Sequence, residues 1–108
     1  MDELGSDRAA HVAINTRPDA DGVPVVVVSG ELDVSNVDLL KASVASVTRN
    51  HPERIIFDLG DLRYIDSAGI AVLLSAAAEC AVRLRDPSPA VLRIVELTGL
   101  TGVLPVAS

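Results

Sequence analysis

The sequence predicts a single α/β domain: a four-stranded mixed sheet in the order 1-2-3-4, the first strand antiparallel, with three main helices. Three observations predict it. A valine-rich run bounded by turn signals lies at 23–28, and further short strand-like runs lie at 54–59 and 81–85. Segments with helical spacing of apolar residues alternate with them. The chain has 108 residues, enough for one core and too few for two.

The elements follow in order. Residues 1–9 are polar and acidic and are expected to form a flexible tail, leaving residues 10–108 as the one domain. His11 to Arg17 alternates, with Val12 and Ile14 on one face and Ala13 and Asn15 on the other, the pattern of a half-buried edge strand. Pro18-Asp-Ala-Asp-Gly22 is turn chemistry suited to an antiparallel hairpin. Val23 to Val28 is nearly continuous valine and reads as a central strand buried on both faces, from which Gly30-Glu-Leu-Asp33 departs. Ser35 to Asp38 has capping-box spacing, and Val37, Leu40, Val44 and Val47 then recur at helical intervals. Asn50-His-Pro52 ends that helix, with His51 facing solvent.

Arg54 to Leu59 is a second central strand. Gly60 to Asp66 reads as a loop, and Ser67 to about Ala78 as a helix apolar almost all round, packed between other elements. Ala81 to Arg85 alternates again, its arginines suiting the far edge of the sheet. Ser88-Pro89 supplies an N-cap and a first-turn proline for a third helix that sets Val91, Val95 and Thr98 on one face. Gly99 stops it, Leu100 folds back, and part of the remaining tail packs down. Both crossovers between parallel strands are right-handed, which puts their helices on one face of the sheet.

Composition narrows the function. Hydrophobic residues are 49 % of the chain, so a packed core is expected, and one Phe, one Tyr and no Trp leave it to aliphatic side chains. A net charge of −6 would repel a nucleic-acid backbone. The lone Cys80 can form no internal disulfide and reads as a small core residue. The first residues lack the basic and apolar regions of a signal peptide, and no apolar run is long enough for a bilayer, so a cytoplasmic protein without membrane contact is expected.

Ligands and functional loops in open α/β sheets gather at the carboxyl ends of the parallel strands. Two neighbouring loops lie there: Gly30 to Asp33, and Asp58 to Ser67, which ends in Asp66-Ser67-Ala68-Gly69. Ser67 has two readings. It is an N-cap, the commonest role of a serine at a helix start, or its exposed hydroxyl accepts a phosphate beside Asp33 and Asp66. Catalysis is not expected. Asp66-Ser67-Ala68-Gly69 is not the nucleophile elbow of hydrolases, and neither His11 nor His51 lies where it could serve as a base. Two aspartates without further ligands do not make a metal site, and no cofactor is implied.

The ordered motifs carry a resemblance. The valine strand leading into Gly30-Glu-Leu-Asp33, then Ile55 to Leu59, Tyr64 to Gly69, Pro87 to Val91 and Leu97 to Leu100 resemble the STAS domains, in particular bacterial anti-sigma factor antagonists. The resemblance spans roughly residues 10 to 104. It implies that Ser67 is phosphorylated by an anti-sigma factor that is itself a GHKL-type serine kinase. The unphosphorylated protein would bind that partner and free a sigma factor; a phosphatase would reset the switch. It further implies that Asp33, Asp66, Ala68 and Gly69 surround the phosphosite and contribute to partner binding. A constitutive STAS subunit of a stressosome-like or lipid-transport complex is the alternative, and a small-ligand binder using the pocket between the two loops is a third. Two departures stand out: Ala68 where many relatives have Ser or Thr, and a short connection from Glu79 to Val82. That shortness requires the preceding helix to end early or the strand to start late.

Overall fold

A computed structural model describes residues 11–107, so the expected flexible tail at 1–9 lies outside the described residues. Strand β1 (Val12–Pro18) pairs antiparallel with β2 (Pro24–Leu32) through a turn in which the Asp19 carboxylate accepts from the N–H groups of Asp21 and Val23. Helix α1 (Val37–Thr48) leads to β3 (Arg54–Asp58), which runs parallel to β2. A short strand β4 (Leu62–Ile65) precedes α2 (Ser67–Ala77), and β5 (Ala81–Arg85) pairs parallel with β3. Helix α3 (Pro89–Leu97) and a two-residue strand β6 (Val106–Ala107) complete the chain.

The four expected strands are β1, β2, β3 and β5, and they lie in the expected order, with the first antiparallel. Two short strands are additional. Once β3 has ended, β4 takes its place beside the end of β2, within the segment expected to be loop. Its residues Leu62 and Ile65 are buried, so the segment gains from pairing what a solvated loop would obtain from water. β6 pairs with β5 at Leu84 and Arg85, so β5 is an edge only over its first residues.

The main core lies on one face of the sheet. Val26 and Val28 of β2, Ile55 and Phe57 of β3, and Val82 and Leu84 of β5 point into it, with Phe57 fully buried. Leu40 and Val44 of α1, Leu73 of α2, and Val91 and Val95 of α3 belong to the same cluster. Every crossover advances in one direction across the sheet, and right-handed crossovers of that kind place all their helices on one side. The valine strand is therefore sealed by helices on one face alone. Val25 and Ile56 point to the opposite face and stand outside the cluster.

Several local expectations hold. Val12 and Ile14 are half-buried, whereas Ala13 and Asn15 are exposed. His51 is exposed at φ 51° where α1 stops. Gly99 adopts φ 74°, the Leu100 N–H reaches the Val95 carbonyl, and Leu104 is wholly buried in the tail.

One expectation is corrected. The capping box at 35–38 does not form: α1 starts after Asn36, whose side chain accepts from Asp33 N–H and donates to the Glu31 carbonyl, while Asp38 pairs with Lys41 at 3.6 Å. Thr98 lies exposed beyond the end of α3, its hydroxyl donating to the Ile94 carbonyl. The short Glu79 to Val82 connection is accommodated by the helix. α2 stops at Ala77, and the N–H groups of Glu79 and Cys80 both return to the Ala76 carbonyl before β5 opens at Ala81. Cys80 is half-buried there and packs against the core; burial, with the nearby Glu79 charge, pushes its thiol pKa up and so disfavours the reactive thiolate.

One backbone constraint keeps β1 in register. At Gly30 the register between β2 and β4 shifts and φ is 96°; a Cβ built there would lie 2.1 Å from the His11 carbonyl oxygen. That carbonyl accepts from Glu31 N–H at 2.8 Å, so the approach is part of the strand pairing. Gly30→Ala is expected to destabilise the fold by about 2–4 kcal/mol in urea denaturation, from the left-handed backbone and the collision together. Gly102→Ala, with no atom within 4 Å of its Cβ, is the control and should fall within about 0.5 kcal/mol of wild type.

Candidate functional site

The two candidate loops meet at one carboxylate. β4 leaves its pairing with β2 at Ile65, opposite Leu32, and the next N–H, that of Asp66, donates to the Leu32 carbonyl at 3.2 Å. Asp66 is in extended conformation and caps α2: its Oδ1 accepts from Ala68 N–H at 2.9 Å and from Gly69 N–H at 3.1 Å. Its Oδ2 turns the other way and accepts from Val34 N–H at 3.1 Å. One side chain thereby satisfies two donors of a helix N-terminus and one of the adjacent loop.

This arrangement corrects the reading of Ser67 as the cap. Ser67 is the first helical residue, and Asp66 holds the capping position. A carboxylate has two acceptor oxygens that can serve both loops, whereas a serine offers one. Ser67 is consequently released. It is exposed, and among the described residues its hydroxyl has no hydrogen-bond partner.

The remaining site residues fall into place around this pair. Asp33 is half-buried and turns toward its own loop, its Oδ1 accepting from the N–H of Ser35 at 2.9 Å and from the Ser35 hydroxyl. It is joined to Asp66 through the backbone of Val34, the next residue. Ala68 is half-buried against the core, and Gly69 is buried. A Cβ on Gly69 would sit 2.7 Å from Ile65 Cγ1 and 2.8 Å from Leu32 Cδ2, so a glycine there lets the first turn of α2 rest on the ends of both strands. Ser88 ties in the third helix: its hydroxyl donates to the Leu62 carbonyl at 2.6 Å and accepts from Val91 N–H at 3.4 Å.

The surface contains further features the sequence reading did not single out. Val34 is 75 % exposed and Leu39 on α1 is 57 % exposed. Glu31 and Arg63 form an exposed ion pair at 3.0 Å across β2 and β4. Between α1 and α2 runs a groove of about 390 Å³, its walls including Lys41, Val44 and Thr48 on one side and Ala71, Ser75 and Glu79 on the other. Nothing in the pattern around Val34 marks it as exposed, because apolar residues next to a strand end are usually buried. Among the described residues, no group of three His, Cys, Asp or Glu side chains is placed to hold a metal ion, and no helix is long and apolar enough to cross a membrane.

The geometry separates the two neighbours energetically. Asp66→Ala should cost about 2 kcal/mol of stability by chemical denaturation, since it leaves two helix N–H groups and Val34 N–H without their acceptor. Ser67→Ala should stay within about 0.5 kcal/mol of wild type, because that hydroxyl bonds nothing.

The family model described as Mlab, STAS domain, matches residues 16–105. An anti-sigma F factor antagonist of Paenibacillus polymyxa is 31 % identical over 93 residues, covering 79 % of this chain and 78 % of the relative. Among solved structures, an anti-sigma factor antagonist from Mycobacterium paratuberculosis superposes with a TM-score of 0.80 at 28 % identity, covering 89 % of this chain and 85 % of that one. SpoIIAA, an anti-sigma factor antagonist and cell fate determinant of Bacillus, shares the fold in two states. Its unphosphorylated form gives a TM-score of 0.74 at 24 % identity over 89 % of both chains. Its phosphorylated form gives 0.68 at 22 % identity over 89 % of this chain and 92 % of that one.

Proposed function

The chain belongs to the STAS domain family, and from that premise we propose that it is an anti-sigma factor antagonist switched by phosphorylation of Ser67. In its unphosphorylated form it binds an anti-sigma factor of the GHKL serine-kinase type and so frees a sigma factor. Phosphorylation releases that partner, and a phosphatase restores binding. The protein acts as a binding module rather than an enzyme, in the cytoplasm of a bacterium.

The observation that carries this reading is the free hydroxyl of Ser67 beside a fully committed Asp66. A kinase needs an accessible hydroxyl whose modification leaves the fold intact. Ser67 is exposed and bonds nothing, so phosphate can be added without breaking a structural contact. A phosphate would ordinarily settle onto the N–H groups of a helix start. Here those of Ala68 and Gly69 already donate to Asp66. The added charge of about −1.5 to −2 therefore stays at the surface, next to the Asp66 carboxylate and one loop from Asp33. A partner docked there must desolvate that charge, which weakens association while leaving the domain folded.

Support also comes from the surface around the serine. Val34, whose N–H donates to Asp66, offers exposed apolar area there, and protein contacts are commonly built from such area with a polar rim. The Paenibacillus polymyxa relative is named for this activity, and SpoIIAA exists in both phosphorylation states.

The test compares three forms of the protein as baits in native lysate, followed by titration against the kinase recovered. Ser67→Ala should retain the kinase and resist release by ATP. Ser67→Glu should bind at least about tenfold more weakly, the effect expected when an unpaired charge enters an interface. If all forms retain the same proteins, or none retains a kinase, the phosphoswitch is refuted and a constitutive STAS subunit of a larger complex takes its place.

A further inference from the structure

The face of the sheet turned away from the helices gathers much of the positive charge in an acidic chain. Arg17 of β1 pairs with Val25 of β2, Val25 with Ile56 of β3, and Ile56 with Arg83 of β5. One row across four strands thus reads arginine, valine, isoleucine, arginine. The next row, toward the carboxyl ends of the parallel strands, reads Asn15, Val27, Asp58 and Arg85. Arg54 stands two residues before Ile56 and so projects from the same face. Four of the nine basic residues share this surface, although the chain carries a net charge of −6.

Three of these arginines have no carboxylate in their row, and Arg85 stands opposite Asp58. Among the described residues the ion pairs are Lys41 with Asp38 and Arg63 with Glu31, and none of the four takes part in one. Asp58 is the one carboxylate in the two rows, and its Oδ1 accepts from Gly60 N–H at 3.2 Å. Between the arginines lies an apolar floor. Val25 is 1 % exposed and Ile56 9 % exposed, yet both stand outside the core beneath the helices. Arginine stems flanking them in the same row suit that burial, since such side chains cover apolar surface while their charged ends stay in water.

We propose that this face is an interaction surface for an acidic, amphipathic segment of a partner protein, which sets carboxylates on the arginines and aliphatic side chains between them, against the arginine stems and the half-buried Val27. Guanidinium groups match carboxylates in a planar, two-bond geometry, and the pairing gains from the apolar surroundings. The two arginines of the first row are three strand spacings apart, about 14 Å, which matches acidic residues spaced two to three turns along a helix. Nucleic acid fits less well, because the face carries no aromatic ring for a base to stack on and the whole chain repels a phosphate backbone. The surface is separate from Ser67, which lies at the strand ends, so it can be occupied in either state of the proposed switch.

The experiment uses fluorescence anisotropy with a short labelled helical peptide bearing a leucine stripe flanked by glutamates, and its glutamine counterpart as control. At low ionic strength the glutamate peptide should bind at least about tenfold more tightly than the glutamine peptide, and less so as salt is added. The triple variant Arg17→Gln, Arg83→Gln, Arg85→Gln should lose that advantage. Glutamine keeps most of the stem over Val25, and an unchanged thermal melt would show that the variant is folded. Ser67→Glu should leave peptide binding unaltered, which separates this inference from the phosphoswitch. Equal binding of the two peptides, or a folded triple variant that binds like wild type, would overturn the proposal. So would equally arginine-dependent binding of single-stranded DNA or of phosphatidylglycerol vesicles, which would make the face a general polyanion surface.

Discussion

The carboxylate of Asp66 accepts from Ala68, Gly69 and Val34, and the arrangement of the strand ends depends on those bonds. Without them the start of α2 and the loop after β2 would each leave backbone donors unsatisfied at a place where the two run close together. With them, the helix is capped and the loop is fixed to it by the same group. Because the helix is capped by Asp66, the hydroxyl of Ser67 is left without a structural task. A residue with no such task can be modified without loss of fold, and that is the property a covalent switch requires.

Close packing supports the same geometry from below. Gly69 allows α2 to settle onto Ile65 and Leu32, and Ser88 fastens α3 to the Leu62 carbonyl. Three elements thus bear on the short strand β4 and its partner. The first turn of α2 is held both by hydrogen bonds and by contact with the core, so a charge added at its surface has little freedom to be absorbed by rearrangement. In the proposed switch the response to that charge would therefore fall on a partner docked at Val34 and Ser67.

Much of this was legible in the sequence, for identifiable reasons. Valine runs, helical spacing and the Ser88-Pro89 and Gly99 signals located the main strands and helices, because each reflects a short-range preference. The strands β4 and β6 were not legible. Both are set by tertiary contact: β4 pairs with β2 where the register shifts at Gly30, and β6 follows the buried Leu104. The site was legible as a pair of loops and as Asp66-Ser67-Ala68-Gly69. The division of labour within it was not, since Asp66 and Ser67 are equally good caps by propensity and only the reach to Val34, more than thirty residues away in sequence, favours the aspartate. Asn36 illustrates the same limit: its side chain answers Asp33 and Glu31, so the capping-box spacing beside it goes unused.

The one-sided layout has a consequence for how charge can be distributed. Helices on a single face dry out Val26, Phe57 and Leu84, and the alternate positions of the same strands point to the face away from the helices. A strand with period two must put something at those positions. Long cationic side chains suit such positions, because their stems can lie on apolar neighbours while their charged ends stay in water. Once arginines are chosen for that task, their unpaired guanidinium groups face outward in rows set by the strand register. A surface that follows from sheet geometry is thereby given a chemical character opposite to that of the strand ends, where Asp33 and Asp66 lie.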